Sequence, residues 1–119
     1  MAENKEYMIH QEEDGAIQIS EDVVASIAST TAAEGDGVSA MMSANVSDLM
    51  GGKKMSAKGV RVEMDGEGIV VNLFILLRYG CAVSEVAQKV QSSVFAALEG
   101  MTGFQVNAVN VHVGGISFD

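Results

Sequence analysis

The sequence predicts an α+β fold, a two-layer sandwich in which two helices cover one face of a mixed sheet of about five strands. Two segments repeat apolar residues at steps of three and four, as amphipathic helices do, and several others alternate apolar with polar residues, as half-buried strands do. Their order along the chain is β-α-β-β-β-α-β. A chain of 119 residues has the usual size of one domain.

The first fourteen residues differ from the rest of the chain. They carry five acidic side chains against the single Lys5 and show no sustained apolar period. We therefore expect residues 1–14 to form a flexible acidic N-terminal tail and residues 15–119 to form a single α+β domain. The first strand is expected over Gly15–Ser20, where Ile17 and Ile19 alternate with Ala16 and Gln18.

A helix is predicted over Glu21–Glu34. The hydroxyl of Ser20 can accept a hydrogen bond from an amide of the first turn, and two acidic residues follow where the helix dipole is positive. Its apolar stripe comprises Val23, Val24, Ile27, Ala28, Thr31 and Ala32. Gly35 and Gly37 are expected to end the helix.

Three strands are predicted in the middle of the chain. The first is Val38–Val46, which contains Met41 and Met42, and a loop follows over Ser47–Gly59. Strict alternation over Val60–Asp65 predicts the second, and the turn residues 65–68 predict a hairpin. The return strand, Ile69–Tyr79, is almost continuously apolar, so we expect it at the centre of the sheet.

A second helix is predicted over Val83–Met101, with Gly103 near its end. Its buried stripe comprises Val83, Val86, Val90, Val94 and Leu98. A last strand is predicted from Phe104 to Val113. Its alternation changes phase near Ala108, as a β-bulge requires.

Charge and composition limit the function classes. The formal net charge of −9 disfavours binding to nucleic acid and to anionic lipid. The longest apolar run, residues 68–77, is about half the length that spans a membrane, and the N-terminus lacks the pattern of a signal peptide. A lone Cys81 excludes an intramolecular disulfide. We expect a soluble, cytoplasmic protein without direct membrane insertion.

The residue types that carry catalysis are scarce. His10 lies in the expected tail, and His112 has the opposite strand parity from Val111 and Val113, which favours a solvated histidine over a catalytic base. Cys81 precedes a helix start, where a thiol can become reactive, but an inert cysteine is the simpler interpretation. These residues lack metal-ligand spacing. We expect no catalytic residue, no cofactor and no metal.

One basic cluster stands out in this acidic chain. It comprises Lys53, Lys54, Lys58 and Arg61. The preceding glycine pair does not complete a P-loop, because the glycine and the hydroxyl residue that the motif requires are missing. We treat the cluster as a candidate docking site for a protein partner, with a solvated loop as the alternative.

Several stretches resemble one family: residues 15–28, Lys58–Glu63, Glu85–Ala87, Met101–Gly103 and Val109–Val113. In order and spacing they are similar to the bacterial alkaline shock protein family, also called general stress or envelope stress response proteins. The resemblance implies a non-enzymatic cytosolic protein, in some members held near the membrane by a separate anchor protein and in others linked to control of fatty-acid synthesis. Ala82 and Ser84 depart from the Asn and Pro that the family often has there.

Two hypotheses follow. The first is a stress or scaffold protein that binds protein partners, including a membrane anchor protein, and that forms homo-oligomers or docks through a strand edge and the basic cluster. Met41 and Met42 could contribute to such a contact. The alternative is a regulator of fatty-acid synthesis that binds an enzyme, or a small apolar ligand held between helix and sheet.

Overall fold

The computed structural model describes residues 7–12, 15–42 and 59–118. The elements in chain order are β1 (Tyr7–Glu12), β2 (Gly15–Ser20), α1 (Glu21–Ala33), β3 (Val38–Met41), β4 (Val60–Asp65), β5 (Gly68–Arg78), α2 (Val83–Thr102) and β6 (Val106–Ser117). The expected α+β class is confirmed. Two helices contact each other, and the main sheet contains β3, β4, β5 and β6.

The N-terminal segment differs from its prediction. Residues 7–12, expected within a flexible tail, form the strand β1, which pairs antiparallel with β2 over its whole length. The two strands make a separate two-stranded sheet, so β2 does not join the main sheet as expected. Backbone hydrogen bonds hold such a pair of strands, and they do not require the apolar alternation on which the strand predictions were based.

The start of α1 is confirmed in detail. Ser20 is extended, and its hydroxyl accepts a hydrogen bond from the amide of Val23 at 3.4 Å. Glu21 and Asp22 occupy the first turn, where the positive end of the helix dipole favours acidic side chains. The buried face of the helix carries Val24, Ala25, Ala28 and Ala32.

The strands β3 and β4 lie end to end along one edge of β5. β3 pairs antiparallel with residues 75–77 of β5, and β4 pairs antiparallel with residues 68–73. Between them the amide of Met42 donates to the carbonyl of Phe74 at 2.9 Å, and the amide of Phe74 donates to the carbonyl of Gly59 at 2.9 Å. Met42 and Gly59 therefore meet at one point of this edge. The remainder of the predicted strand Val38–Val46 and nearly all of the predicted loop Ser47–Gly59 lie outside the described residues.

The predicted hairpin between β4 and β5 is confirmed. Asp65 pairs with Gly68, and the carboxylate of Asp65 accepts a hydrogen bond from the amide of Glu67 at 2.7 Å. The backbone of Gly68 has φ +145°, and a Cβ there would lie 2.9 Å from the carbonyl oxygen of Gln105. Both the turn and the close approach of the next strand therefore require glycine.

The last strand completes a mixed sheet, because β6 pairs parallel with β5 along its opposite edge. The central position predicted for the β5 segment is thus confirmed. The register shifts between Val106 and Ala108, where the sequence predicts a bulge, and again between Val113 and Gly115. The strand continues to Ser117, beyond the predicted end at Val113.

One hydrophobic core fills the space between the helices and the sheet. The residues of β5 that face it are Ile69, Val71, Leu73, Ile75 and Leu77, all fully buried. The α2 stripe opposite them is Val86, Val90, Val94 and Leu98. α1 covers the β3 and β4 side of the sheet and α2 covers β6. α2 ends with Gly103 in the left-handed conformation, and its N-cap, Ala82, offers no side-chain hydrogen bond.

Candidate functional site

The two edges of the main sheet differ in charge. Three of the six residues of β4 are charged, namely Arg61, Glu63 and Asp65. None of the twelve residues of β6 is Asp, Glu, Lys or Arg, and none is proline. Charged side chains on an edge strand prevent it from pairing with other strands. The β4 edge is thus protected, and the β6 edge is not.

The hydrogen bonds of β5 reveal which backbone groups of β6 point outward. Phe74 bonds Met42 and Gly59 on the β3–β4 side, whereas the amide of Ile69 bonds the carbonyl of Gln105 on the β6 side. The backbone groups of successive residues in a strand point alternately to its two neighbouring strands, so the odd-numbered residues of β5 bond β6. In a parallel pair, each of these β5 residues bonds the two β6 residues on either side of its register partner.

Applied to the register, this rule directs the backbone groups of Val109, Val111 and Val113 away from β5. The side chain of Gln91 agrees with it, because its amide nitrogen donates to the carbonyl of Val109 from outside the sheet at 2.8 Å. Among the residues that the structure describes, no strand pairs with this edge of β6. The outward groups of Val111 and Val113 are therefore available for a further strand.

One flank of α2 lies beside this edge. Gln91 reaches Val109, and Phe95, one turn further along the same flank, is 38% exposed. Phe95 lines a surface depression together with Phe104 and Val106 at the start of β6. We call the outward backbone of Val109–Val113, together with Gln91 and Phe95, the β6 edge surface.

The sheet face away from the helices carries a polar network at the same strand. The buried Asn72 accepts a hydrogen bond at Oδ1 from Nδ2 of Asn110 at 3.2 Å, and Nε2 of His112 lies 3.3 Å from the same oxygen. The ring of His112 also stacks on Phe74, with centroids 4.6 Å apart. These contacts hold Asn110 and His112 in place beside the β6 edge.

The predicted basic cluster is only partly described. Lys53, Lys54 and Lys58 lie outside the described residues. Arg61 is in β4, where its guanidinium pairs with the carboxylate of Glu63 at 3.2 Å and its side chain is only 14% exposed. The described part of the cluster is therefore a half-buried ion pair at the charged edge.

Met41 and Met42, which the sequence suggested for a partner contact, both pack against other residues of the fold. Met41 packs against the hydrophobic core. Met42 extends over β5 to Gly114 on β6, where an added Cβ would collide with its thioether. Met41 therefore adds to the core, and Met42 packs across the strands of the main sheet.

The structure separates the residues considered for catalysis. His10 is in β1, paired with Ile17, whereas His112 is in β6. The half-buried Cys81 packs beside the core before α2. Within the described ranges, no three His, Cys, Asp or Glu side chains gather as a metal site requires.

The β6 edge surface itself was missed by sequence reasoning, which expected a strand edge without naming one. The sequence did contain one sign of this edge, a long strand without charged residues, but only the strand pairing shows that β6 lies at an edge.

Among the described residues, no helix combines the length and apolar character needed to cross a membrane.

Known proteins share both the sequence pattern and the fold. The chain is 32% identical to Bacillus subtilis YqhY over 107 residues, which is 88% of this chain and 79% of that protein. It is 36% identical to Streptococcus pyogenes Spy1614 over 108 residues, or 87% of this chain and 88% of that protein. The names of these relatives state no enzymatic activity.

Among solved structures, the MamM CTD superposes with a TM-score of 0.50 at 16% identity, over 79% of this chain and 93% of that chain. This likeness concerns the fold alone. The model of the alkaline shock protein family, described by a cell envelope-related function, matches residues 9–118. The resemblance seen in the sequence is thus confirmed, and the chain belongs to the alkaline shock protein family.

Proposed function

We propose that the chain is a non-enzymatic protein of the cell envelope stress response, and that it acts by binding protein partners through the β6 edge surface. The observation that carries this proposal is the uncharged edge of β6, whose outward backbone groups at Val111 and Val113 meet no described strand. An extended segment that pairs with such an edge gains main-chain hydrogen bonds, and neighbouring side chains select the segment.

The neighbouring side chains favour a protein as the ligand. Val109, Val111 and Val113 line the helix side of the strand, and Phe95 adds an exposed aromatic ring. Aromatic residues at the centre of a contact often contribute much of its binding energy. Asn110 and His112 offer hydrogen-bonding groups on the opposite side of the strand.

The membrane is reached through a partner in this proposal. A net charge of −9 repels the anionic surface of the cytoplasmic leaflet, so direct adsorption is unfavourable. A cytoplasmic position near the membrane then requires a separate anchor protein. Lys53, Lys54 and Lys58 provide a second contact for an acidic partner, and Arg61 contributes less because Glu63 pairs with it.

The alternative, regulation of fatty-acid synthesis through a small apolar ligand, gains no support from the described core. The side chains between helices and sheet form one continuous cluster, and those at its centre are fully buried. A described depression beside α1 and α2 is lined largely by polar residues, among them Thr31, Asp36 and Lys89. An enzyme partner for such regulation would still bind the β6 edge surface.

A photo-crosslinking amino acid tests the location of binding. We expect Asn110 replaced by p-benzoylphenylalanine to form a covalent protein adduct in irradiated cells that express the full chain, because the residue sits on the open edge strand. Thr30, exposed on α1, is the matched control and should form at least several-fold less adduct. Immunoblotting and mass spectrometry measure the adducts.

Two results would contradict this location. Equal adduct yields at positions 110 and 30 would mean that the edge is not a preferred contact. A strong adduct from p-benzoylphenylalanine placed at position 54, with none from position 110, would assign the binding site to the basic cluster instead.

A further inference from the structure

We propose that the occupant of the β6 edge surface is the β6 strand of a second copy of this chain, paired antiparallel about a two-fold axis at Val111. This inference rests on the proposed function, since it names the partner at the same surface. A two-fold contact requires a surface that complements itself, and an antiparallel strand pair does so.

The outward direction of the backbone fixes the register. With the axis at Val111, this residue faces its own copy, and Val109 faces Val113 of the second copy. The backbone amide and carbonyl groups of all these residues point away from β5, so each facing pair can exchange two hydrogen bonds. The bond from Gln91 leaves the second lone pair of the Val109 carbonyl available.

The same register matches the side chains on both sides of the strand. Valine meets valine on the helix side, while Asn110 faces His112 of the second copy on the other side. Apolar β-branched pairs and hydrogen-bonding pairs both stabilise neighbouring strands. The regular ladder covers residues 109–113, because the register shifts on either side of residues 108–113 interrupt regular pairing.

Charge favours a copy of this strand over a basic peptide. β6 itself is an uncharged strand, so residues 109–113 contain no carboxylate with which a basic segment could pair. The carboxylate of Glu99, on the α2 flank, accepts a hydrogen bond from the amide of Val106, which precedes that segment. The rest of the chain is acidic, so two copies repel one another at long range. We therefore expect added salt to tighten the pair by screening this repulsion, whereas it would weaken a complex with a basic partner.

Two double variants test the register. Asn110→Lys with His112→Lys places lysine opposite lysine across the axis, whereas Asn110→Glu with His112→Lys places glutamate opposite lysine. Both variants lose the same contacts to Asn72, so they form a matched pair. We expect the dissociation constant of the Lys–Lys variant to exceed that of the Glu–Lys variant by roughly ten-fold.

Sedimentation velocity measures this difference on the purified full chain, and circular dichroism checks the fold of each variant. Support requires a wild-type dimer of twice 12.4 kDa and stronger pairing of the Glu–Lys variant. Equal dissociation constants for the two variants would overturn the register. A monomeric wild-type chain at about 100 μM would overturn self-pairing.

If a double variant fails to fold, a disulfide between two copies of the chain tests the position of the axis instead. In the Cys81→Ser background, Val111→Cys should cross-link to its own copy under mild oxidation, because facing residues of such a pair lie about 5.5 Å apart. Thr30→Cys is the control. No disulfide at position 111 would contradict the axis. An adduct at Asn110 with a different protein, combined with a monomeric chain, would retain the proposed function and overturn only the self-pairing.

Discussion

Replacing Leu73 by alanine is expected to lower the free energy of unfolding by about 2–5 kcal/mol, because the change leaves a cavity at the centre of the core. Leu73 is fully buried on the helix-facing side of β5, the strand that contacts every other strand of the main sheet. Chemical denaturation followed by circular dichroism measures this loss. The midpoint should fall while the denaturant dependence stays constant.

The same substitution at Leu76 is the matched control. Leu76 belongs to the same strand but lies on the opposite face, where it is half-buried. We expect a clearly smaller loss of unfolding free energy there, since shortening a half-buried side chain removes fewer packing contacts. Equal losses at the two positions would contradict the assignment of the core to the helix-facing side.

Replacing Gly59 by alanine is expected to cost about 1–3 kcal/mol of unfolding free energy. Gly59 has φ +80°, a region that side chains disfavour, and an added Cβ would lie 2.7 Å from the carbonyl oxygen of Met42. Because both residues bond Phe74, relief of the collision must disturb the junction between β3 and β4. Thermal and chemical denaturation measure the effect.

Gly66, in the turn after β4, provides the control for this change. A Cβ there would meet no heavy atom of the described residues within 4 Å. Gly66→Ala is therefore expected to change stability by no more than about 0.5 kcal/mol. A Gly59→Ala protein as stable as the Gly66→Ala protein would contradict the close approach of Met42 and Gly59.

Local patterns predicted most of the fold because each depends on neighbouring residues. The cap at Ser20, the turn at Asp65 and the bulge near Ala108 follow from side-chain chemistry and alternation within a few positions. The central place of β5 was predicted from its nearly continuous apolar character, because a strand that is largely buried on both faces is typical of the interior of a sheet.

Longer-range features escaped prediction for physical reasons. The pairing of β1 with β2 depends on backbone hydrogen bonds that leave no apolar period in the sequence. The alignment of β3 with β4 depends on Met42 and Gly59 meeting at Phe74, although the two residues are far apart in the chain. For the same reason, β6 could not be recognised as an open edge until its pairing with β5 was known.

Amide hydrogen exchange resolved by residue tests the central claim that β6 presents an edge for strand pairing. In dilute protein, the amides of Asn110 and His112 should be protected by β5, while those of Val111 and Val113 exchange rapidly. On association, Val111 and Val113 should become protected as well. Rapid exchange at Val111 and Val113 in the fully associated protein would contradict the claim.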